Sequence, residues 1–190
     1  MSDNNITCKI LTMGNWNQFE NLFGEKGACG GCWCMYWRLK RREFDKNKGL
    51  VNYSLMKNYV KKGNIPGLIA FDGDDPVAWC SIGKRTEFST LSRSRILKKI
   101  DDQPVWSIVC FFVKKEYRYK GISTILIEAC KDFVIEQGGR IIEAYPIEPK
   151  KDKIPDVFAW IGIASSFGKA GFSEVKRRSE TRPIMRFTLS

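Results

Sequence analysis

The stretch Val105-Trp-Ser-Ile-Val-Cys-Phe-Phe-Val113 carries one polar residue, Ser107, and is bounded by Pro104 and by Lys114-Lys115-Glu116. A strand with one wet face alternates apolar and polar side chains, whereas this run is apolar throughout. It suits a central strand covered on both faces, and it is less than half as long as a membrane span requires. The fold therefore needs a sheet with cover on both sides of this strand.

The flanking sequence supplies both strands and cover. Residues 6–12 read as a first strand. Residues 15–23 read as a helix, with Trp16, Phe19, Leu22 and Phe23 at helical spacing. Residues 24–34 form a glycine- and cysteine-rich loop, and 35–39 an aromatic-basic segment. Residues 43–62 read as one helix, with Leu50, Tyr53, Leu55, Met56, Tyr59 and Val60 on one face and Gly63 as its stop. Strands over 66–71 and 77–82 flank the Asp72-Gly73-Asp74-Asp75 turn, a hairpin signal. Residues 87–100 read as irregular or short-helical.

Beyond the apolar run, 121–137 is amphipathic, with Ile122, Ile125, Leu126, Ala129, Cys130, Phe133 and Val134 inward, and it ends at Gly138-Gly139. A strand over 140–145 stops at Pro146. A helix over 156–169 ends at Gly171, and strands over 172–178 and 184–189 close the chain. The order β-α-α-β-β-β-α-β-α-β-β, without repeat or linker, predicts a single α/β domain over residues 1–190 with a mixed sheet.

The 190 residues include no histidine, which excludes Ser-His-Asp and Cys-His catalysis and HExxH zinc sites. The net charge is +11. Basic clusters at 38–42, 57–62, 114–120, 150–153 and 176–186 are interleaved with acids and form no basic tail. That distribution favours an anionic small ligand and solvated faces over nucleic acid. The seven cysteines are odd in number and scattered, a pattern of reduced thiols in a cytoplasmic protein rather than a secreted disulfide framework. No signal-peptide pattern opens the sequence, and no stretch is long enough for a membrane span.

The sharpest chemical signal is the junction Val113-Lys-Lys-Glu-Tyr-Arg-Tyr-Lys-Gly-Ile-Ser123. A buried strand feeding a glycine turn that opens a helix leaves several backbone N–H groups pointing one way, at the positive end of the helix dipole. This is an anion site. Gly121 allows close backbone approach, and Arg118 and Lys120 add charge. The spacing is neither GxxxxGK[ST] nor GxGxxG.

Here the sequence resembles the GNAT superfamily of N-acetyltransferases. The family signature, Arg/Gln-x-x-Gly-x-Gly/Ala, stands as Arg118-Tyr119-Lys120-Gly121-Ile122-Ser123. The likeness extends over nearly the whole chain, with 105–113 as the fourth strand, 140–145 as the fifth and a helix running into Gly171-Phe172. The chain also resembles a narrower bacterial group that carries Cys32-Trp-Cys-Met-Tyr-Trp-Arg38 and Arg182-Pro-Ile-Met-Arg186.

The resemblance implies a mixed, mostly antiparallel sheet of about seven strands flanked by helices. It implies acetyl-CoA as donor and direct transfer to an amine. By the same analogy the backbone of Tyr119, Lys120, Gly121, Ile122, Ser123 and Thr124 holds the pyrophosphate. The edge of Phe111, Phe112 and Val113 pairs with the pantetheine arm. Many relatives carry a thiolate-protonating Tyr four residues before the Gly-Phe pair. That position is Phe167, and an Asn common earlier in the helix is replaced near Trp160. Ser165 or Ser166 is left to hydrogen-bond the thiolate, which otherwise departs as an anion.

For the base, Glu143 sits mid-strand where a charge needs a use or a partner, on the face of Ile141 and Tyr145. Its alternative role is a structural ion pair. Glu116, beside the basic turn, is a weaker candidate. Trp33, Tyr36, Trp37 and Arg38 precede the first long helix, where such enzymes shape the acceptor site. Aromatics with one arginine suggest an acceptor with an apolar body and a carboxylate or phosphate; their alternative is a core position. Cys29, Cys32 and Cys34 have a zinc-like spacing but lack a second ligand pair, so no metal is assigned. An acetyl-cysteine at Cys110 has nothing nearby in sequence to activate it. The remaining readings are a CoA-binding regulatory module without catalysis, a thiol or zinc sensor using residues 29–34, and a homodimer paired through the closing strands.

Overall fold

Seven strands make one sheet in the order β1-β2-β3-β4-β5-β7-β6. The computed structural model describes residues 6–149 and 156–189, the first three of the second stretch as backbone only. The strands are β1 (Ile6–Ile10), β2 (Gly67–Asp72), β3 (Asp75–Lys84), β4 (Trp106–Val113), β5 (Ile141–Ala144), β6 (Ser173–Arg177) and β7 (Pro183–Thr188). The apolar run is thus the fourth of seven, as its composition demands. β4 and β5 pair in parallel, and the other neighbours pair antiparallel. The hairpin between β2 and β3 turns on Gly73, whose positive φ suits a tight connection.

Side-chain alternation divides the cover between two faces. Leu68, Ala70, Cys80, Ile82, Ile108, Phe111, Ile142 and Ala144 pack under α5 (Ile122–Glu136), which buries Leu126, Ile127, Cys130, Phe133 and Val134. On the opposite face Ile69, Phe71 and Trp79 meet α1 (Trp16–Phe23) and the loop that follows it. Further along that face, Val109 and Tyr145 meet Trp37, Phe88, Leu91 and Leu97. Burying apolar area on both faces at about 25 cal/mol per Å² is what fixes β4 in the middle.

Two helices expected as single units are interrupted. The expected 43–62 helix becomes α2 (Arg41–Lys46) and α3 (Leu50–Lys61), divided at Gly49 with φ 86°. There the Gly49 amide donates to Gly31 O at 3.0 Å, and Asn52 Nδ2 donates to the same carbonyl at 3.2 Å. A Cβ on Gly31 would lie 2.2 Å from Gly49 N, so the break docks the glycine loop against the helix start.

Helix α4 is short (Ser89–Arg93). The expected 156–169 helix becomes a 3-10 segment, Asp156–Ile161, and α6 (Ala164–Lys169). Gly162 separates them, and its neighbours reach the chain beyond β5. Ile147 N donates to Gly162 O at 3.0 Å and Ala164 N donates to Ile147 O at 2.9 Å. In both cases helical periodicity continues across the break, but tertiary hydrogen bonds claim the backbone.

Among the described residues no helix is long and apolar enough to cross a membrane.

Candidate active site

β4 and β5 stay together for only three residue pairs, Trp106–Ile142, Ser107–Glu143 and Ile108–Ala144. β4 meanwhile remains paired with β3 as far as Val113, with a bulge at Val109 between the Ser81–Cys110 and Ile82–Ile108 pairs. From Val109 to Val113 the β4 edge toward β5 has no strand partner, and the two strands part there. Phe111, Phe112 and Val113 all lie on this open edge. An unpaired edge can accept another extended chain.

At the end of that edge the chain turns into α5. Gly121 is left-handed (φ 78°), and a Cβ built on it would meet nothing within 4 Å. The first amides of a helix lack carbonyl partners in their own helix, and here they are those of Ile122 and Ser123. Thr124 N and Ile125 N both turn back to Gly121 O. Tyr119, also left-handed (φ 62°), is 91% exposed.

The basic turn is braced from behind. Arg118 Nε donates to Val113 O at 3.1 Å, Lys120 lies over the Tyr117 ring, and the Tyr117 hydroxyl donates to Asp72 at 2.9 Å. Lys114 pairs with Asp75 at 2.9 Å. Glu116 is exposed on the same turn.

On the opposite face, the segment expected to shape the acceptor site divides. Trp33 and Cys34 are consecutive left-handed non-glycine residues (φ 44° and 59°), a strain of the kind functional loops store. Trp33 lies in the wall, stacked on Phe23 at 5.7 Å and 20°. Arg38 also lies in the wall, with its side chain 4% exposed. It pairs with Glu87 at 2.9 Å, donates to the Tyr59 hydroxyl at 3.1 Å, and sits between the Tyr59 and Phe88 rings. Tyr36 and Trp37 reach the splayed end instead. They pack together at 5.1 Å, and both meet Trp160 of the 3-10 segment, at 5.3 and 5.8 Å.

Glu143 is 1% exposed and both its oxygens are engaged. Arg186, its register partner on β7, donates to Oε1 from Nε at 2.8 Å and also binds Asp101. Oε2 receives the Tyr145 hydroxyl at 2.6 Å and faces Arg85 Nη1 at 3.4 Å. The Tyr145 hydroxyl and Ser107 Oγ lie 2.9 Å apart. Burial, and then the Glu143 charge, push the Tyr145 pKa far above the ordinary phenol range, so it stays protonated.

In α6 the Phe167 ring is fully buried between Phe111 (5.9 Å) and Phe172 (5.2 Å). Ser166, beside it, is half-buried, and Ser165 is exposed.

A thiol cluster lies where the loop meets β4. Trp79 Nε1 donates to Cys34 Sγ at 3.2 Å. Hydrogen bonding from Cys110, against burial and with help from Ser81 and Trp79, lowers the Cys34 pKa to about 7. The same contact, followed by burial, holds Cys110 well above the usual thiol range. Cys32 is pushed up to about 11, first by burial and then by Cys34. Among the described residues no three Cys, Asp or Glu side chains converge as a metal ligand set.

The sequence does not reveal the contacts of Tyr145 and Ser107 with the Glu143 network, and it offers Trp160 only as a substitute for another residue. The polar Ser107 inside the apolar run was the available signal for the Glu143 network.

A mixed seven-stranded sheet that parts between its fourth and fifth strands, beside a glycine-led helix, defines an acetyltransferase architecture. The acetyltransferase (GNAT) family model matches residues 33–153, and the chain belongs to that family. Solved structures agree on the fold. The PaiA N-acetyltransferase of Thermoplasma acidophilum, solved with coenzyme A, is 14% identical with a TM-score of 0.54, covering 97% of this chain and 99% of that one. A GNAT-family acetyltransferase of Listeria monocytogenes is 8% identical with a TM-score of 0.57, covering 97% and 95%. The aminoglycoside acetyltransferase AAC(6')-Ib, solved with coenzyme A, is 14% identical with a TM-score of 0.57 and the same coverage. No curated protein sequence matches the chain.

Proposed function

We propose that this protein transfers the acetyl group of acetyl-CoA directly to a primary amine, without a covalent enzyme intermediate. The observation that carries the reading is the open β4 edge, Val109 to Val113, aimed at the glycine-led start of α5. Acetyl-CoA supplies an activated thioester. The amine nitrogen forms a bond to the acetyl carbon, the carbon–sulfur bond breaks, and the amine loses a proton.

The residues present fit such a donor. Space outside Gly121 admits a pyrophosphate against the amides of Gly121, Ile122 and Ser123, while the Thr124 amide is held by Gly121 O, and the amides of Tyr119 and Lys120 continue the cradle. Arg118 and Lys120 make the turn attractive to polyanions. The backbone of Phe111, Phe112 and Val113 pairs with the pantetheine arm as an added strand would. An N–H beside the Val109 bulge polarises the thioester carbonyl. The Ser166 hydroxyl, half-buried beside Phe167 in α6, hydrogen-bonds the departing sulfur. A thiol leaving group of pKa about 8.5 needs no stronger acid.

Glu143 touches arginines and Tyr145 rather than the cleft, so in this reading it holds the floor of the splay. The amine proton leaves through water at the open mouth. As a free base Glu143 would have set the acidic limb of the rate profile.

The test is calorimetric titration with acetyl-CoA, with dephospho-CoA as comparator, followed by thiol release across an amine panel. Micromolar binding with amine-dependent thiol release is expected. Absence of binding at low salt overturns the reading. Binding without turnover of any amine favours the regulatory-module alternative, to which Phe167 in place of a tyrosine lends support. Glu143→Gln is expected to lower thermal stability and leave the pH–rate profile in place. A displaced acidic limb would return Glu143 to the role of base.

A further inference from the structure

The arginines around the splayed end of the sheet are committed, with one exception. Arg38 pairs with Glu87, Arg85 and Arg186 converge on Glu143, and Arg177 pairs with Glu174 and Glu148. Arg178 donates to the carbonyls of Ile96, Lys98 and Lys99.

Arg182 is the least engaged of these arginines among the described residues. Its Nη2 makes a 3.3 Å contact to Tyr145 O, the first residue past β5, while its Nε, like that of Arg38, is buried without a partner. Burial lowers its pKa, and the group that opposes this is the Tyr36 phenol rather than any carboxylate. Removing a guanidinium from water without a counter-charge is costly unless an anion arrives to pair with it.

Its surroundings are aromatic. Tyr36 meets Trp37 and Trp160 nearly edge-on, at 90° and 83°. Trp37 is 6% exposed, and its indole N–H is a second buried donor without a partner. Arg41, over the Tyr36 ring, is already paired with Asp45 at 2.7 Å, so among the described residues the cluster presents one uncommitted cation. One planar guanidinium matches a carboxylate in charge and fork geometry, whereas a phosphate dianion generally gathers more than one cation.

We propose that Arg182, Tyr36, Trp37 and Trp160 form the acceptor subsite, and that the acceptor is an amino acid with an apolar or aromatic side chain. The carboxylate seats on Arg182 at the end of β5, the side chain packs on the three rings, and the α-amine faces the gap between β4 and β5. This rests on the acetyltransfer reading above. It also moves the anion contact from Arg38, which is committed to Glu87, to an arginine contributed from the start of β7.

The experiment compares thiol release from acetyl-CoA with L-phenylalanine and L-tryptophan against phenethylamine and tryptamine, which differ from them by the missing carboxylate. Acetyl-CoA affinity is measured calorimetrically on the same samples. For the wild type, kcat/KM for the amino acids is expected to exceed that for their decarboxylated partners by about tenfold or more, as loss of a charged hydrogen-bond pair predicts. In Arg182→Gln that ratio should collapse toward one, mainly through KM for the amino acid, and Arg182→Lys should fall between. Comparing the same ratio between wild type and variant cancels the intrinsic reactivity of each amine.

A wild-type ratio near or below one overturns the inference whether or not the variants fold. So does a ratio unchanged by Arg182→Gln, a better rate with the phosphonate analogue of phenylalanine, or no turnover of any of these amino acids. If acetyl-CoA still binds in those cases, only the acceptor assignment falls. If it does not bind, the acetyltransfer reading falls with it.

Discussion

At Gly121 the backbone is left-handed at φ 78°, and in the proposed reading the open space a side chain would enter is the space the anion takes. A β-branched residue is disfavoured at this φ and also projects a methyl group toward the bound phosphate. Gly121→Val should therefore weaken acetyl-CoA about a hundredfold by calorimetry, roughly 2.7 kcal/mol, and an unchanged Kd would remove the anion cradle from consideration.

Cys34 offers a second residue-level prediction, since its pKa is lowered to about 7 from 9.0 by hydrogen bonding from Cys110, Ser81 and Trp79. Between those values the folded state holds fewer protons than the unfolded one. The resulting stabilisation is fully present above pH 9 and is lost as the pH falls through about 7. A thiolate ultraviolet absorbance with a midpoint near 7 should appear in the wild type, move upward in Cys110→Ala and vanish in Cys34→Ser. No thiolate signal below pH 8 would contradict the cluster geometry.

Among the elements, the junction between the 3-10 segment and α6 has no room for a side chain at its glycine. A Cβ on Gly162 would stand 2.7 Å from Phe167 Cε2 and 3.0 Å from Phe111 Cε2, at φ 84°. Gly162→Ala should cost about 2 kcal/mol from backbone strain and overpacking. For a chain of this size that lowers Tm by about 4–8 °C, readable by calorimetric melting.

This junction also shows what the sequence made legible. The apolar run, the hairpin at Gly73 and the helix after Gly121 were readable because their signals are local: unbroken hydrophobicity, turn residues and period. The breaks at Gly49 and Gly162 were not, because hydrogen bonds to Gly31 and Ile147 decide them and those partners are distant in sequence. In the candidate site, Glu143 stood out as a charge within a strand. Trp33 and Arg38 looked equivalent to Tyr36 and Trp37, because adjacency in sequence does not reveal that consecutive left-handed residues send neighbours to different places. Arg182 comes beside Tyr145 because β7, which it precedes, pairs with β5.

Across the whole molecule, the +11 charge produces a field that favours polyanions at long range, and salt screens it within a Debye length. The affinity for acetyl-CoA should fall about tenfold between roughly 0.05 and 0.5 M monovalent salt, more steeply than that for dephospho-CoA, which carries less charge. Equal slopes would mean that the extra phosphate lies outside the influence of the basic turn.

The parting of β4 from β5 has a kinetic meaning as well as a geometric one. The helix that begins at Gly121 covers one face of the sheet, and the rings of Tyr36, Trp37 and Trp160 lie on the other. In the proposed reading the two substrates therefore approach from opposite sides and meet only at the gap, a window between two rooms, and each product has its own way out. Free coenzyme A need not wait for the acetylated acceptor to depart, and a fresh acceptor can enter while spent coenzyme A is still seated. Such an arrangement predicts a ternary complex reached without compulsory order, and turnover that slows at high acceptor concentration as that unproductive pairing accumulates.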